Sequence, residues 1–394
     1  MDRRVSILVA ALCASGLAAC ASVDAGVRDA GGPTPLADTA EAGLWRVMDE
    51  REAEVRRSPL LNRSDALNAY VRDVMCRVSA EYCGDLRIYV LDRPEFNALM
   101  APNGYSEVWA GLLLRAGSED ELAFVLAHEA GHFIENHSLE RWRTMRRNTN
   151  LAGVLAIGAA AAGAPELGDL GRLAAYARIF AYSREHEREA DAYGQRLAAD
   201  AGYDPAAGAR LWETLIAEQA ASDQAEDRPA RANIFATHPV SAERAADIRA
   251  GADAFGPRGN APDRHLAMIA PHLDAWLDAD IAERDFGASL ALLDRLDGLG
   301  LRPGVIALHR GDVHRLRGGD GDEAAALAAY SAAVRAPDAP ARAHRELGLM
   351  LRDSDDPAAR AEAARALRDY LQAAPAAPDR AFIERYAETL ESPS

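Results

Sequence analysis

His128-Glu129-Ala130-Gly131-His132, inside the stretch Glu121–Leu139, decides how this chain is read. Residues four apart lie about 40° apart around a helix, so both imidazoles leave one face and can share a single Zn2+. Glu129 stands beside them, placed to take a proton from an attacking water. The plain alternative is two surface histidines on an amphipathic helix. Leu122, Phe124, Val125, Leu126 and Phe133 argue for burial instead, and buried paired histidines need a partner. Upstream, Ser118-Glu119-Asp120-Glu121 is a capping box, which predicts one long helix from there to about Arg147.

A zinc site requires a third protein donor. His137, five residues after His132, would be turned about 140° away on a continuous helix. Its spacing is also one short of the metzincin pattern, and the glycine of that pattern is missing. Glu187, in Glu187-Arg188-Glu189-Ala190-Asp191, is the better donor. Asp191 shares its face one turn on, and a carboxylate accepting an imidazole N–H is a common partner of zinc histidines. A solvated acidic face would suit Glu185 and Glu189, whereas Tyr182-Ser183 and Ala190 around Glu187 speak for a buried one. His186 falls about 100° from Glu187 and reads as surface. His265, His272, His309, His314 and His344 carry no metal spacing.

Around this motif the patterning is mostly helical. Helices are predicted near 41–57 and 65–80, then a β-type run at Leu86–Leu91. Phe96–Met100 and Tyr105–Trp109 are short extended segments separated by the turn Pro102-Asn103-Gly104, and a substrate strand is expected beside Tyr105–Trp109. Leu151–Ala164 is uncharged; as a helix it would be about 21 Å long, short of the roughly 30 Å hydrocarbon core, so it reads as buried or lipid-touching. A helix over about 168–199 follows, another starts at Asp204-Pro205, and 222–232 reads as a polar loop. From about 265 the chain reads as paired helices. Val305–Asp338 and Ala341–Asp379 align loosely, Gly311 with Gly348, Pro337 with Pro375 and Tyr330 near Tyr370. Those offsets exceed the tetratricopeptide period, leaving degenerate repeats of that type or a plain bundle. Stacked pairs would offer another protein a concave surface.

The 394 residues are 49% apolar and 27% charged, enough for a large core in two or three domains. Its 44 basic residues, all arginine, face 61 acidic ones, for a net charge of −17. So acidic a surface excludes a nucleic-acid binder, because nothing offsets phosphate repulsion.

Met1–Ala19 has the pattern of a signal peptide: Arg3 and Arg4, then an uncharged run from Val5 to Ala19. Leu17-Ala18-Ala19-Cys20 resembles the bacterial lipobox, in which the cysteine is lipidated; the alternative is an ordinary signal with a chance cysteine. With Ala21 and Ser22 next and no Asp beside the cysteine, that resemblance implies the outer membrane. Residues 20–40 read as a flexible tether. Cys76 and Cys83 then remain as one pair in an oxidising compartment, where a bridge would add about 2–3 kcal/mol; two free thiols are the alternative.

Taken together these motifs resemble the gluzincins, specifically peptidase family M48, over about residues 65–250. The likeness rests on His128–His132 followed by Glu187-x-x-x-Asp191, on Asn97-Ala98 before a glycine-bearing turn, and on Gly111-Leu112-Leu113 before the zinc helix. Tyr182-Ser183 and Thr237-His238-Pro239 with Arg244 complete it. The resemblance implies a mainly α fold with a small β-sheet, a zincin-type metalloprotease domain (41–255) and a tetratricopeptide-like helical repeat domain (262–394). It implies one zinc held by His128, His132 and Glu187, Glu129 as general base, and Asp191 orienting a ligand histidine. His238 and Arg244 would stabilise the oxyanion, or His238 would take the fourth zinc position and silence the enzyme. The signal and repeats point to periplasmic quality-control members. The implied substrates are misfolded or stalled envelope and outer-membrane proteins, and the implied repeat partner is outer-membrane assembly machinery. A proteolytically silent chaperone or assembly factor is the alternative.

Overall fold

The structure, a computed structural model, describes residues 28–32, 35–36, 39–148, 179–224, 238–256 and 263–391. The signal segment, Cys20, the run Leu151–Ala164, Thr237 and most of the 222–232 loop lie outside the described residues. Among the described residues no helix is long and apolar enough to cross a membrane.

Helix α1 (Ala40–Arg57) and α2 (Asp65–Val78) start at Thr39 and Ser64, whose hydroxyls accept hydrogen bonds from Ala42 N and Leu67 N. Strands β1 (Arg87–Leu91), β2 (Ala98–Met100) and β3 (Tyr105–Trp109) form one sheet in the order β1-β3-β2, with β1 parallel and β2 antiparallel to β3. This corrects one expectation. Tyr105–Trp109 is the central strand, paired on both sides, so a substrate strand has no place beside it. Strand β2 is an edge strand and packs against the helix that carries His128 and His132. Cys76 and Cys83 form a disulfide across the end of α2, with Cα atoms 4.9 Å apart.

Helix α3 (Ala110–Arg115) leads into α4 (Glu119–Ile134). Ser118 caps α4 by accepting from Glu121 N, but the Glu121 carboxylate accepts from Gly117 N rather than from Ser118. The long helix expected to run to Arg147 is interrupted. Glu135 ends α4, Asn136 turns left-handed at φ 57°, and α5 (His137–Asn148) sets off in a new direction. Arg28 docks on this break: its N–H donates to Ile134 O at 2.8 Å and its guanidinium to Asn136 Oδ1 at 2.7 Å. That end of the expected tether is therefore bonded to the body.

Helix α6 (Arg184–Asp200) begins at the Ser183 cap; Ile179–Ser183 are not helical, so the helix expected from 168 is not continuous. Helix α7 (Ala207–Gln224) absorbs the first three residues of the expected polar loop, and α8 (Ala242–Ala252) starts at the Ser241 cap. The tail comprises α9 (His265–Ile269), α10 (Leu273–Ala282), α11 (Phe286–Gly298), α12 (Pro303–Arg317), α13 (Asp322–Ala333), α14 (Ala341–Leu351), α15 (Pro357–Ala373) and α16 (Arg380–Glu391).

The helix pairs α12/α13 and α14/α15 repeat a packing device. A Cβ on Gly311 would lie 2.4 Å from the Tyr330 ring, and one on Gly348 2.6 Å from Leu367. The 37-residue offset that matches these glycines therefore puts Leu367, not Tyr370, in the place of Tyr330. Tyr370 instead donates its hydroxyl to Asp379 at 2.6 Å.

One buried core joins α2, the sheet, α3, α4, α7 and α8. It continues without interruption through Ile269, Leu273, Trp276, Ile281, Leu292 and Leu296 to Val313. A buried charge cluster crosses the same junction. Arg115 donates to Glu218 at 2.5 Å and to Asp280 at 2.9 Å, and Ser289 Oγ donates to Asp280 at 2.7 Å.

Candidate metal centre

Two helices build the centre. Gly131 on α4 and Gly194 on α6 let them approach closely: a Cβ at Gly131 would lie 2.9 Å from Tyr193 Cβ, and one at Gly194 2.9 Å from His128 N. That approach brings Glu187 and Asp191 over the paired histidines.

His128 and His132 are fully buried, with their Nε2 atoms 3.1 Å apart. Glu187 lies 3.6 Å from His128 Nε2 and 3.5 Å from His132 Nε2. His238 joins them, its Nδ1 3.3 Å from His128 Nε2 and 3.0 Å from Glu187 Oε1. Donor atoms of these four residues all lie within 4.8 Å of one another.

The other side of each ring fixes its tautomer. Asp191 Oδ1 lies 3.0 Å from His128 Nδ1, and a carboxylate there can only accept. His132 Nδ1 faces His137 Nδ1 at 2.8 Å, and His137 Nε2 faces Glu189 Oε2 at 3.2 Å. With hydrogens on the Nδ1 atoms, two Nε2 lone pairs point at each other. That arrangement requires a cation between them, and the donor spacings are close to the roughly 3.4 Å expected on one tetrahedral zinc. The residues fit the ion.

The break at Asn136 explains His137. Its ring reaches His132 because α5 leaves in a different direction, yet it stays outside the donor group. Tyr182, whose role spacing does not reveal, stacks its ring on His132 with centroids 3.8 Å apart, and its hydroxyl meets Ser138 Oγ at 2.8 Å. His186 stacks on His137 at 4.2 Å and pairs with Glu140 at 3.0 Å.

Arg244 is fully engaged. It grips Asp191 through Nε at 2.7 Å and Nη2 at 2.8 Å, and through Nη1 it meets Glu187 Oε2 at 2.7 Å and Pro239 O at 2.8 Å. Such a two-pronged grip fixes orientation as well as charge.

Burial would raise both ligand-side carboxylates, but neighbours dominate. His238, His132 and His128 hold Glu187 far below the usual carboxylate range, and Arg244 with His128 lowers Asp191. Glu129 keeps a raised pKa because burial outweighs His238 and His128. Burial pulls His238 down, yet Glu187 and Glu129 lift it to about 8. Burial holds His137 neutral, at about 3, with His186 and His128 adding to the effect.

A His-Glu-x-x-His helix completed by a carboxylate from a second helix defines the gluzincin class of metallopeptidases. The model of peptidase family M48 matches residues 61–252. The chain is similar to the mitochondrial metalloendopeptidase OMA1 of Schizosaccharomyces pombe, 35% identical over 44% of this chain and 50% of that protein. It is also similar to a putative beta-barrel assembly-enhancing protease of Vibrio cholerae, at 30% over 60% of this chain and 50% of the relative. The beta-barrel assembly-enhancing protease of Escherichia coli O157:H7 is 27% identical over 51% of this chain and 42% of its own length. The chain thus spans about half the length of the curated relatives it matches.

Proposed function

We propose that this chain is a zinc endopeptidase of the bacterial envelope, held at the periplasmic face of the outer membrane by lipid on Cys20. On this reading it cleaves misfolded or stalled envelope proteins, and its helical tail engages outer-membrane assembly machinery. The convergence of His128, His132 and Glu187 beside Glu129 carries the proposal. The names of the relatives support the substrate class.

When bound, the ion supplies Lewis-acid polarisation of the attacking water and the scissile carbonyl. Glu129 takes the proton from the attacking water and delivers it to the leaving amine. Asp191 and Arg244 hold the His128 and Glu187 donors in place. With its guanidinium committed to two carboxylates, Arg244 serves as a positioning residue, and oxyanion stabilisation falls to His238. The substrate backbone lies along the outer edge of β2, whose Ala98 and Met100 turn their backbone groups away from β3.

Glu129→Gln is expected to keep one zinc per chain and to lose about 10²–10⁴-fold of its cleavage of unfolded casein. Unchanged cleavage would remove Glu129 as the base.

A second reading is supported by His238, which stands among the donors where a water would otherwise bind. In that state the chain is silent and acts as a chaperone or assembly factor. His238→Ala is expected to raise casein cleavage, whereas a fall in rate would leave only the oxyanion role. Full rescue of an envelope defect by the Glu129→Gln protein would favour binding over proteolysis.

A further inference from the structure

A second set of metal-type donors lies in the tail, where the helices bring together residues that have no spacing in the sequence. His309 and Asp312 project from α12, Asp274 and Asp278 from α10, and Arg342 from α14. His309 is completely buried; its Nε2 lies 2.8 Å from Asp274 Oδ1. Its Nδ1 has no hydrogen-bond partner among the described residues and faces Asp278 Oδ1 at 3.7 Å and Asp312 Oδ2 at 3.8 Å. Asp312 is also buried, and its other oxygen accepts the Tyr330 hydroxyl at 2.8 Å.

His309 Nε2 is engaged by Asp274 Oδ1 and by Arg342 Nη2, 3.4 Å away, which leaves Nδ1 as the ring nitrogen aimed at the two remaining carboxylates. A buried imidazole nitrogen without a partner, together with the two carboxylate oxygens it faces, is the donor set of a cation site. Donors on one tetrahedral ion with bonds of about 2.0–2.2 Å are separated by about 3.3–3.6 Å, so the two distances from His309 Nδ1 need to close by only a few tenths of an ångström, and all three donor atoms already lie within 4.8 Å of one another.

Arg342 stands at the mouth of the set. Its Nη1 lies 2.9 Å from Asp278 Oδ1, and its Nη2 lies 3.3 Å from both Asp312 Oδ2 and Asp274 Oδ1. Its Nη2 also reaches His309 Nε2 at 3.4 Å but leaves Nδ1 unmet, and its own Nε is buried without a partner among the described residues. Arg315, 3.4 Å from Asp312 Oδ1, is the other cation in reach. Asp274 and Asp278 are half-exposed, so the set opens to solvent on that side.

We propose that His309 Nδ1, Asp312 Oδ2 and Asp278 Oδ1 form a second cation site for a divalent transition-metal ion, with the Arg342 guanidinium as a displaceable occupant. One imidazole nitrogen with two carboxylate oxygens selects a transition metal over Ca2+ or Mg2+. The bound ion ties α10 to α12, and the guanidinium swings outward on its flexible stem when the ion enters.

The test uses the full chain, stripped with a chelator, re-equilibrated with Zn2+ or Co2+ and desalted before metal counting. Two ions per chain are expected. Asp278→Ala and His309→Gln should each reduce the count to one, and Asp278→Ala changes a half-exposed residue. His132→Ala should still bind one ion, which separates this site from the peptidase centre. Arg342→Gln should bind the tail ion at least ten-fold more tightly, because the competitor is gone. Three results would each overturn the site: a single ion in the wild-type chain, a second ion that survives both tail substitutions and is therefore adventitious, or no gain from Arg342→Gln.

Discussion

At the scale of single residues, the centre divides into what sequence spacing specifies and what only packing specifies. His128, Glu129 and His132 lie within one helical turn, so their shared face follows from the helix repeat. Glu187 and Asp191 were readable as a pair one turn apart with apolar neighbours. His137 was not, because a continuous helix would turn it away and only the left-handed backbone of Asn136 breaks that helix. Its contact with His132 makes it the acceptor that holds the ligand hydrogen on Nδ1. His137→Ala is expected to weaken zinc binding about 10–100-fold, measured by competition with a chromogenic chelator. His137→Gln should keep most of the affinity, because its carbonyl oxygen can accept the same hydrogen. Equal losses in the two variants would reduce His137 to a space-filler.

At the scale of elements, the start of α4 was legible because Ser118 is a capping residue that precedes apolar periodicity, whereas the start of α6 at Ser183 was hidden inside a run that reads as one helix over about 168–199. The strand order was not. Which of three short extended runs becomes central depends on a parallel pairing between β1 and β3, and local patterning carries no trace of it. The α4–α6 contact was equally hidden, since Gly131 and Gly194 act only against each other's helices. Gly194→Ala is expected to destabilise the fold by about 1–3 kcal/mol and to weaken zinc retention, read from the urea midpoint and metal content together. A variant with unchanged stability and a full complement of zinc would mean that the helices have slack there. The tail repeats show the same division. The glycine offset is readable, whereas the pairing of Tyr330 with Tyr370 does not hold, because Leu367 packs against Gly348.

At the scale of the whole molecule, the boundary that reads as separating two regions in sequence is crossed by one large buried core, which takes in the first helices of the tail as far as Val313. Arg115 sits at the seam, fully buried between Glu218 and Asp280. Arg115→Met is expected to cost about 3–5 kcal/mol, because it removes the cation that both buried carboxylates share. Thermal or urea unfolding checks this, and adding Glu218→Gln and Asp280→Asn should recover part of the loss. Sequence composition could not place this seam, since Arg115, Glu218 and Asp280 lie far apart in the chain. The uninterrupted interior also bears on how deletions are read. A chain cut at residue 255 would expose the apolar surface that Ile269, Leu273, Trp276 and Leu292 now cover. Inactivity in such a truncation would then report a collapsed scaffold, and a lost docking partner could be inferred only from surface substitutions in the intact chain.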